Sequence, residues 1–154
     1  MLGQLLVGLA VSLVNIAVHA AAMQAMQAPR RWALTAHRRA PAWILVPAMI
    51  ATVAVLMLAH LAEIGIWALV YDVLGVIEWR APGDGFYFAF VNYTTLGYGD
   101  VVPAPRWRLL GPMTTLNGIL LAGWSTAVIF DTLIAIGRHL REHGEGRDVG
   151  PHQH

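Results

Sequence analysis

Residues 94–100 read Thr-Thr-Leu-Gly-Tyr-Gly-Asp. The side chains there offer a hydroxyl, Thr95, and a carboxylate, Asp100. The backbone offers more, because the glycines at 97 and 99 allow geometry that other residues resist. Glycines alternating with larger residues can turn the carbonyls of Thr95, Leu96, Gly97, Tyr98 and Gly99 to one side. Such a ladder of oxygens can replace the hydration shell of a cation such as potassium. One chain supplies one edge, and four chains around an axis would supply rings. The Thr95 hydroxyl would add a ring at the inner end, and Asp100 would concentrate cations at the outer mouth.

A second group of chemical residues lies apart from this loop. His60 and Glu63 sit three apart on one helical face together with Trp67, and Ser12, Asn15 and His19 share a stripe in another segment. Three readings are open. The favoured one is a hydrogen-bonded seam between the first two spans, or between Glu63 and the back of the helix before the loop, since polar groups in a membrane need partners. The second is a pH sensor, because His60 and Glu63 can change charge in a physiological range. The third is a metal site from His19, His60 and Glu63, a donor set that suits zinc or iron. The tail histidines His139, His143, His152 and His154 are expected to be solvated.

These residues must be held by membrane-spanning elements. Hydrophobic residues make up 57% of the chain and charged residues 12%, half the roughly 25% of soluble proteins. The apolar residues fall in three runs, Leu2 to Met26, Trp43 to Ile77 and Leu109 to Ile136, each long enough for the roughly 20 residues a spanning helix needs. A proline at 47 is tolerated in a first helical turn. The net charge of +1 gives no basic face for nucleic acid, and the absence of cysteine excludes disulfides and thiolate chemistry.

Arginine counting sets the direction. Arg30, Arg31, Arg38 and Arg39 crowd the connector at 27–42, and Arg138, Arg141 and Arg147 follow the third run. The connector from Glu78 to Arg108 has its three arginines balanced by Glu78, Asp84 and Asp100. The expected topology is therefore N-terminus outside, C-terminus cytoplasmic and the 78–108 connector outward. Trp43, Trp79 and Trp107 stand near the segment ends as aromatic anchors. A cleaved signal peptide is the lesser reading of the first run, since its start lacks a positive region.

The outward connector is too apolar for a solvated loop. Residues 86–93 have helical length, Gly83, Asp84 and Gly85 form a start signal with Asp84 as N-cap, and Pro103 and Pro105 close the excursion. This predicts a re-entrant half-helix over 85–95, with its negative C-terminal end toward a dehydrated ion, and an irregular return over 95–100.

Residues 95–100, placed between two spans after an aromatic half-helix, resemble the selectivity filter of the tetrameric potassium channels. The similarity covers about residues 55–136. It implies that the carbonyls of Thr95, Leu96, Gly97 and Tyr98, with the Thr95 hydroxyl, are potassium ligands. Three positions depart from the family. Leu96 stands where valine or isoleucine is usual. Tyr87 and Phe88 occupy positions often held by tryptophan, and Phe88 cannot donate to Tyr98. Val91 replaces a carboxylate that pairs in some members with the filter aspartate. The cuff around Tyr98 and Asp100 must therefore differ.

On the third run, Thr114, Asn117, Gly118, Leu121, Ser125, Val128 and Thr132 form a small or polar stripe, read either as pore lining or as helix packing. Asp131 lies at its edge, read as a pore carboxylate or, slightly favoured, an interfacial one. Gly118 and Gly123 are the two glycines at which this helix could bend. No segment has the arginine periodicity of a voltage sensor, and no phosphate loop or hydrolytic constellation is present, so an enzyme is not expected.

The expectation is an all-α membrane protein of the inner membrane. It has an N-terminal span at 1–26, a basic connector at 27–42 and a pore module at 43–137, then a cytoplasmic tail at 138–154. The module comprises an outer helix at 43–77, pore helix 85–95, filter 95–100 and inner helix 109–137. It would act as a homotetramer in the lipid bilayer, passing potassium passively, with no cofactor, nucleic acid or small-molecule substrate. The alternatives are a non-conducting or auxiliary protein that keeps the pore fold and, at lower weight, an intramembrane metal or haem protein using His19, His60 and Glu63.

Overall fold

The structure, a computed structural model, describes residues 1–36, 45–78 and 81–144. Arg38, Arg39, Trp43, Trp79, Arg147, His152 and His154 lie outside the described residues, as do the side chains of His139 and His143. Four α-helices build the fold: α1 (Leu2–Ala36), α2 (Leu45–Leu74), α3 (Asp84–Tyr93) and α4 (Leu110–Gly144), with a 3-10 turn at Pro105–Trp107. Among the described residues there is no strand, only an isolated bridge between Ile77 and Pro103.

Among the described residues, three helical stretches are long and apolar enough to cross a membrane: Leu2–Met26, Met49–Leu74 and Pro105–Ala135. The shortest has 25 residues. At about 1.5 Å per residue it exceeds the roughly 30 Å hydrocarbon core. The ten residues of α3 rise only about 15 Å, half that depth.

Helix ends differ from the apolar boundaries. Helix α1 continues to Ala36 and α4 to Gly144, beyond the apolar runs ending at Met26 and Ile136. Apolarity marks what the bilayer can hold, whereas alanine, glutamine, arginine and leucine favour helix beyond it. Helix α2 stops at Leu74, three residues short of the expected 77. Gly75 takes a left-handed φ of 58° there, and Val76 N–H donates to Tyr71 C=O at 2.9 Å. With Gly75 N–H to Asp72 C=O at 3.3 Å, this is a Schellman stop.

The start of α3 also differs. Its N-cap is Gly83, at φ 93°, and Asp84 is the first helical residue. The Asp84 carboxylate accepts from Ala81 N–H at 2.9 Å and so ties the entry turn instead of capping the helix.

Helix α3 lies against both α2 and α4, while α1 packs on α2 and α4. Trp67 and Tyr71 of α2 are fully buried and meet Phe88 of α3 in a ring stack, with centroids 5.8 Å (Trp67–Tyr71) and 5.1 Å (Tyr71–Phe88) apart. The Tyr71 hydroxyl is hydrogen-bonded to the Thr114 hydroxyl of α4, so the same residue joins α2 to both neighbours. Gln4 Oε1 of α1 accepts from Leu109 N–H at 3.0 Å, satisfying a donor just ahead of α4. Ala104 N–H donates to Val76 C=O at 2.8 Å, pinning the return of the loop to the end of α2.

Candidate functional site

The end of α3 shapes the segment after it. Thr94 N–H donates to Phe90 C=O and Thr95 N–H to Asn92 C=O, both at 3.0 Å. Leu96 and Gly97 N–H then both turn back to Val91 C=O, at 2.9 and 3.3 Å. A trans peptide sets its carbonyl opposite its N–H, so the carbonyls of Thr95 and Leu96 point away from α3. Backbone handedness alternates: φ is 66° at Thr95, 55° at Gly97 and 75° at Gly99. Thr95 is the one described residue other than glycine with positive φ, a conformation a β-branched residue resists and that clusters at functional sites. Residues 94–100 are all exposed on the subunit, including Leu96 and Tyr98. The result is an exposed, strained backbone ribbon whose amides as far as Gly97 are tied inward.

The cuff differs from the tryptophan pattern in a specific way. Phe88 is buried against Tyr71, and Val91 is buried too, and neither side chain has a polar group to offer the loop. The donor stands at the neighbouring position: Tyr87 Oη–H donates to Asp100 Oδ2 at 2.6 Å, and Val101 N–H meets Asp100 Oδ1 at 3.1 Å. The Tyr87 hydroxyl holds the Asp100 carboxyl below its ordinary range, and the same bond pushes Tyr87 up to about 12. Both residues are exposed, and the hydrogen bond is the largest cause of each shift. The sequence reading turned on Phe88, which cannot donate; the available signal was the hydroxyl of Tyr87 beside it.

On α4 the expected lining stripe faces inward. Thr114, Asn117, Leu121, Ser125 and Thr132 are buried within the subunit, Val128 is half-buried, and Asp131 is exposed. This burial accords with the helix-packing reading of these five residues. Polar groups at membrane depth go where partners are, and the partners stand on α1 and α2. Asn117 Oδ1 accepts from Asn15 Nδ2 at 2.9 Å and from Trp67 Nε1 at 3.0 Å. Gly118 is buried where α3 ends, and a Cβ there would collide with the Tyr93 carbonyl. Gly123 has open space around it. Ile119, Leu120 and Phe130 are exposed on the opposite face of α4, while Trp124, partly exposed, flanks the stripe with its ring 5.3 Å from His19.

Behind the end of α3 the structure brings Asn15, His19, His60 and Glu63 together. Glu63 Oε1 meets His19 Nδ1 at 2.8 Å, and Oε2 meets His60 Nδ1 at 3.1 Å. The Tyr93 hydroxyl donates to Oε2 and lies 2.8 Å from His60 Nδ1. Ser125 Oγ lies 2.9 Å from His60 Nε2 and 3.3 Å from His19 Nε2. Asn15 Nδ2 also donates to the Glu63 backbone carbonyl at 3.3 Å. All four helices contribute, and Ser12 is half-buried outside this ring. Tyr93 and Ser125 were absent from the sequence-level group, because nothing in their spacing joins four helices.

Residues 59–135 match a protein family described as ion channel. That segment contains most of α2, the whole of α3 and the loop, and α4 down to Ala135. The chain belongs to this ion-channel family. No curated protein and no solved structure matches it. The match begins at Ala59, so the channel segment includes His60, Glu63, Tyr93 and Ser125, while Asn15 and His19 come from α1, outside it.

Proposed function

We propose that this ion channel is potassium-selective and works as a homotetramer in the inner membrane. The observation that carries the reading is the backbone after α3. Left-handed φ values at Thr95, Gly97 and Gly99, with the Leu96 and Gly97 amides turned to Val91, leave carbonyls free to face an axis. One exposed edge cannot surround an ion, and four edges make the rings that substitute for potassium's hydration shell. In this reading the Thr95, Leu96, Gly97 and Tyr98 carbonyls and the Thr95 hydroxyl ligate potassium, and Asp100, oriented by Tyr87, gathers cations outside. The path below the loop follows the α4 face that continues from the α3 contact, with Ile119, Gly123, Thr126 and Phe130. The arginine distribution supports a cytoplasmic C-terminus and an outward filter.

Purified full-length protein in liposomes tests this. Potassium flux well above sodium flux, lost in Gly97→Ala and Gly99→Ala, and a four-subunit particle are expected. Within the subunit a Cβ at either glycine meets nothing within 4 Å, so the strain there comes from φ. Correctly assembled tetramers that carry no potassium would refute the reading.

A further inference from the structure

The ring of side chains behind α3 can be read proton by proton. Tyr93 gives its single hydroxyl hydrogen to Glu63 Oε2, so it meets His60 Nδ1 as an acceptor, and that nitrogen carries a hydrogen. A carboxylate only accepts, so His19 Nδ1, 2.8 Å from Glu63 Oε1, carries one as well. With both imidazoles neutral, both Nε2 atoms would be bare lone pairs. Both face Ser125 Oγ, at 2.9 and 3.3 Å, and one hydroxyl hydrogen satisfies only one of them. The pattern closes when one Nε2 holds an extra proton: that imidazolium donates to Oγ, and Oγ donates to the other ring. The charge then balances, one imidazolium against one carboxylate. His19 and Glu63 are wholly buried, where an unpaired charge is strongly unfavourable.

We propose that His19, His60, Glu63 and Ser125 form a proton-binding site that holds one shared proton per subunit and, through Tyr93, makes conduction sensitive to pH. Tyr93 is the last residue of α3 and stands two residues before Thr95, with its carbonyl packed on Gly118. Loss of the shared proton leaves a buried net negative charge and two opposed lone pairs at Ser125 Oγ. The ring opens, Tyr93 loses its anchor, and the filter is no longer held from behind. Flux therefore falls as pH rises. The titratable groups hydrogen-bonded around the site are His19 from α1, His60 and Glu63 from α2 and Tyr93 from α3. Helix α4 faces it with Ser125 and with Trp124, whose ring lies 5.3 Å from His19, and neither titrates. The donor atoms of His19, His60 and Glu63 lie within 4.8 Å of one another, as a metal site requires. The two Nε2 atoms converge on Ser125 Oγ, which already fills that point, while the Glu63 oxygens are turned to the Nδ1 atoms on the other side of the rings. A proton fits this arrangement without rebuilding it.

The effect on flux rests on the potassium-channel reading, and the proton site does not. The test is nitrogen NMR of imidazole-labelled full-length protein in liposomes, beside potassium flux on the same preparation. One doubly protonated imidazole of the His19–His60 pair per subunit is expected near neutrality, becoming singly protonated as pH rises. Flux should fall at least roughly tenfold over the same interval, since one proton permits a tenfold population change per pH unit. In Glu63→Gln the imidazolium should vanish and flux should vary by less than about twofold across that range. Where that variant does not assemble, the wild-type spectrum decides the site. Two singly protonated rings from about pH 5 to about pH 9 would overturn the proposal. So would stoichiometric metal replacing the ring protons, or a titrating proton that flux ignores. Absence of flux at every pH counts against the potassium reading instead, and the spectrum still judges the proton.

Discussion

Gly118→Ala probes the junction between α3 and α4 directly. A Cβ at position 118 would run into the backbone carbonyl of Tyr93. A backbone carbonyl at a helix end cannot rotate aside as a side chain can, so one helix must shift. Forcing a methyl into such a contact costs roughly 1–3 kcal/mol, and replacing a mid-helix glycine by alanine returns up to about 1 kcal/mol. Taking the full return, a net destabilisation of roughly 0–2 kcal/mol per subunit, centred on about 1, follows from those two values. Gly123→Ala is the control, because a Cβ there meets no heavy atom within 4 Å of its subunit. It should be neutral or stabilising by up to about 1 kcal/mol. Chemical unfolding of the full-length protein in detergent, followed by tryptophan fluorescence, measures both variants against wild type. The displaced Tyr93 carbonyl also lies two residues before Thr95, so potassium flux should fall in Gly118→Ala. Unfolding of Gly118→Ala above the wild-type midpoint would show that α3 does not end against Gly118, and the account of the filter's inner support would fail with it.

Asn117→Leu strands the Trp67 indole N–H and one Asn15 N–H at buried positions, and each stranded donor destabilises by roughly 1–3 kcal/mol. A lowered unfolding midpoint in the same assay is expected, and an unchanged one would contradict the bonds. Tyr87→Phe removes the donor that keeps Asp100 ionised. Because the folded Asp100 value is lowered, its contribution is present above the ordinary value near 3.9 and is lost as pH falls through the lower one. Acid loss of flux should thus begin at higher pH in Tyr87→Phe than in wild type, and coincident curves would refute the link. On the alkaline side Tyr87, raised to about 12, contributes below its ordinary value near 10 and loses that contribution as pH rises through about 12. Asp100→Asn should bring its tyrosinate absorbance change back toward about pH 10.

Three spanning segments were legible because the requirement for about 20 apolar residues is local and needs no knowledge of packing. The place of the half-helix and of the irregular loop after it was equally open to reading, since glycine spacing after an aromatic run is a property of consecutive residues. Helix ends were read less well. Gly75 stops α2 through a left-handed turn inside an apolar run, and α1 and α4 continue as helix after their apolar residues end.

The sequence by itself determined the number of spans, the place of the loop and the types of residue available for an ion and for a proton. Which way α4 faces was decided only by tertiary structure. A stripe of Thr114, Asn117, Ser125 and Thr132 suits a watery path and a polar helix contact equally well in one dimension. Asn15, His19, His60, Trp67 and Tyr71 resolve it, because partners as far apart as residues 15 and 117 meet only after folding. The same holds for Tyr87 and Asp100: the hydroxyl is written in the chain, but its 2.6 Å bond exists because α3 sets the start of the half-helix beside the end of the loop. Hydropathy acts residue by residue, whereas a buried polar atom is satisfied only by whatever the fold brings within reach.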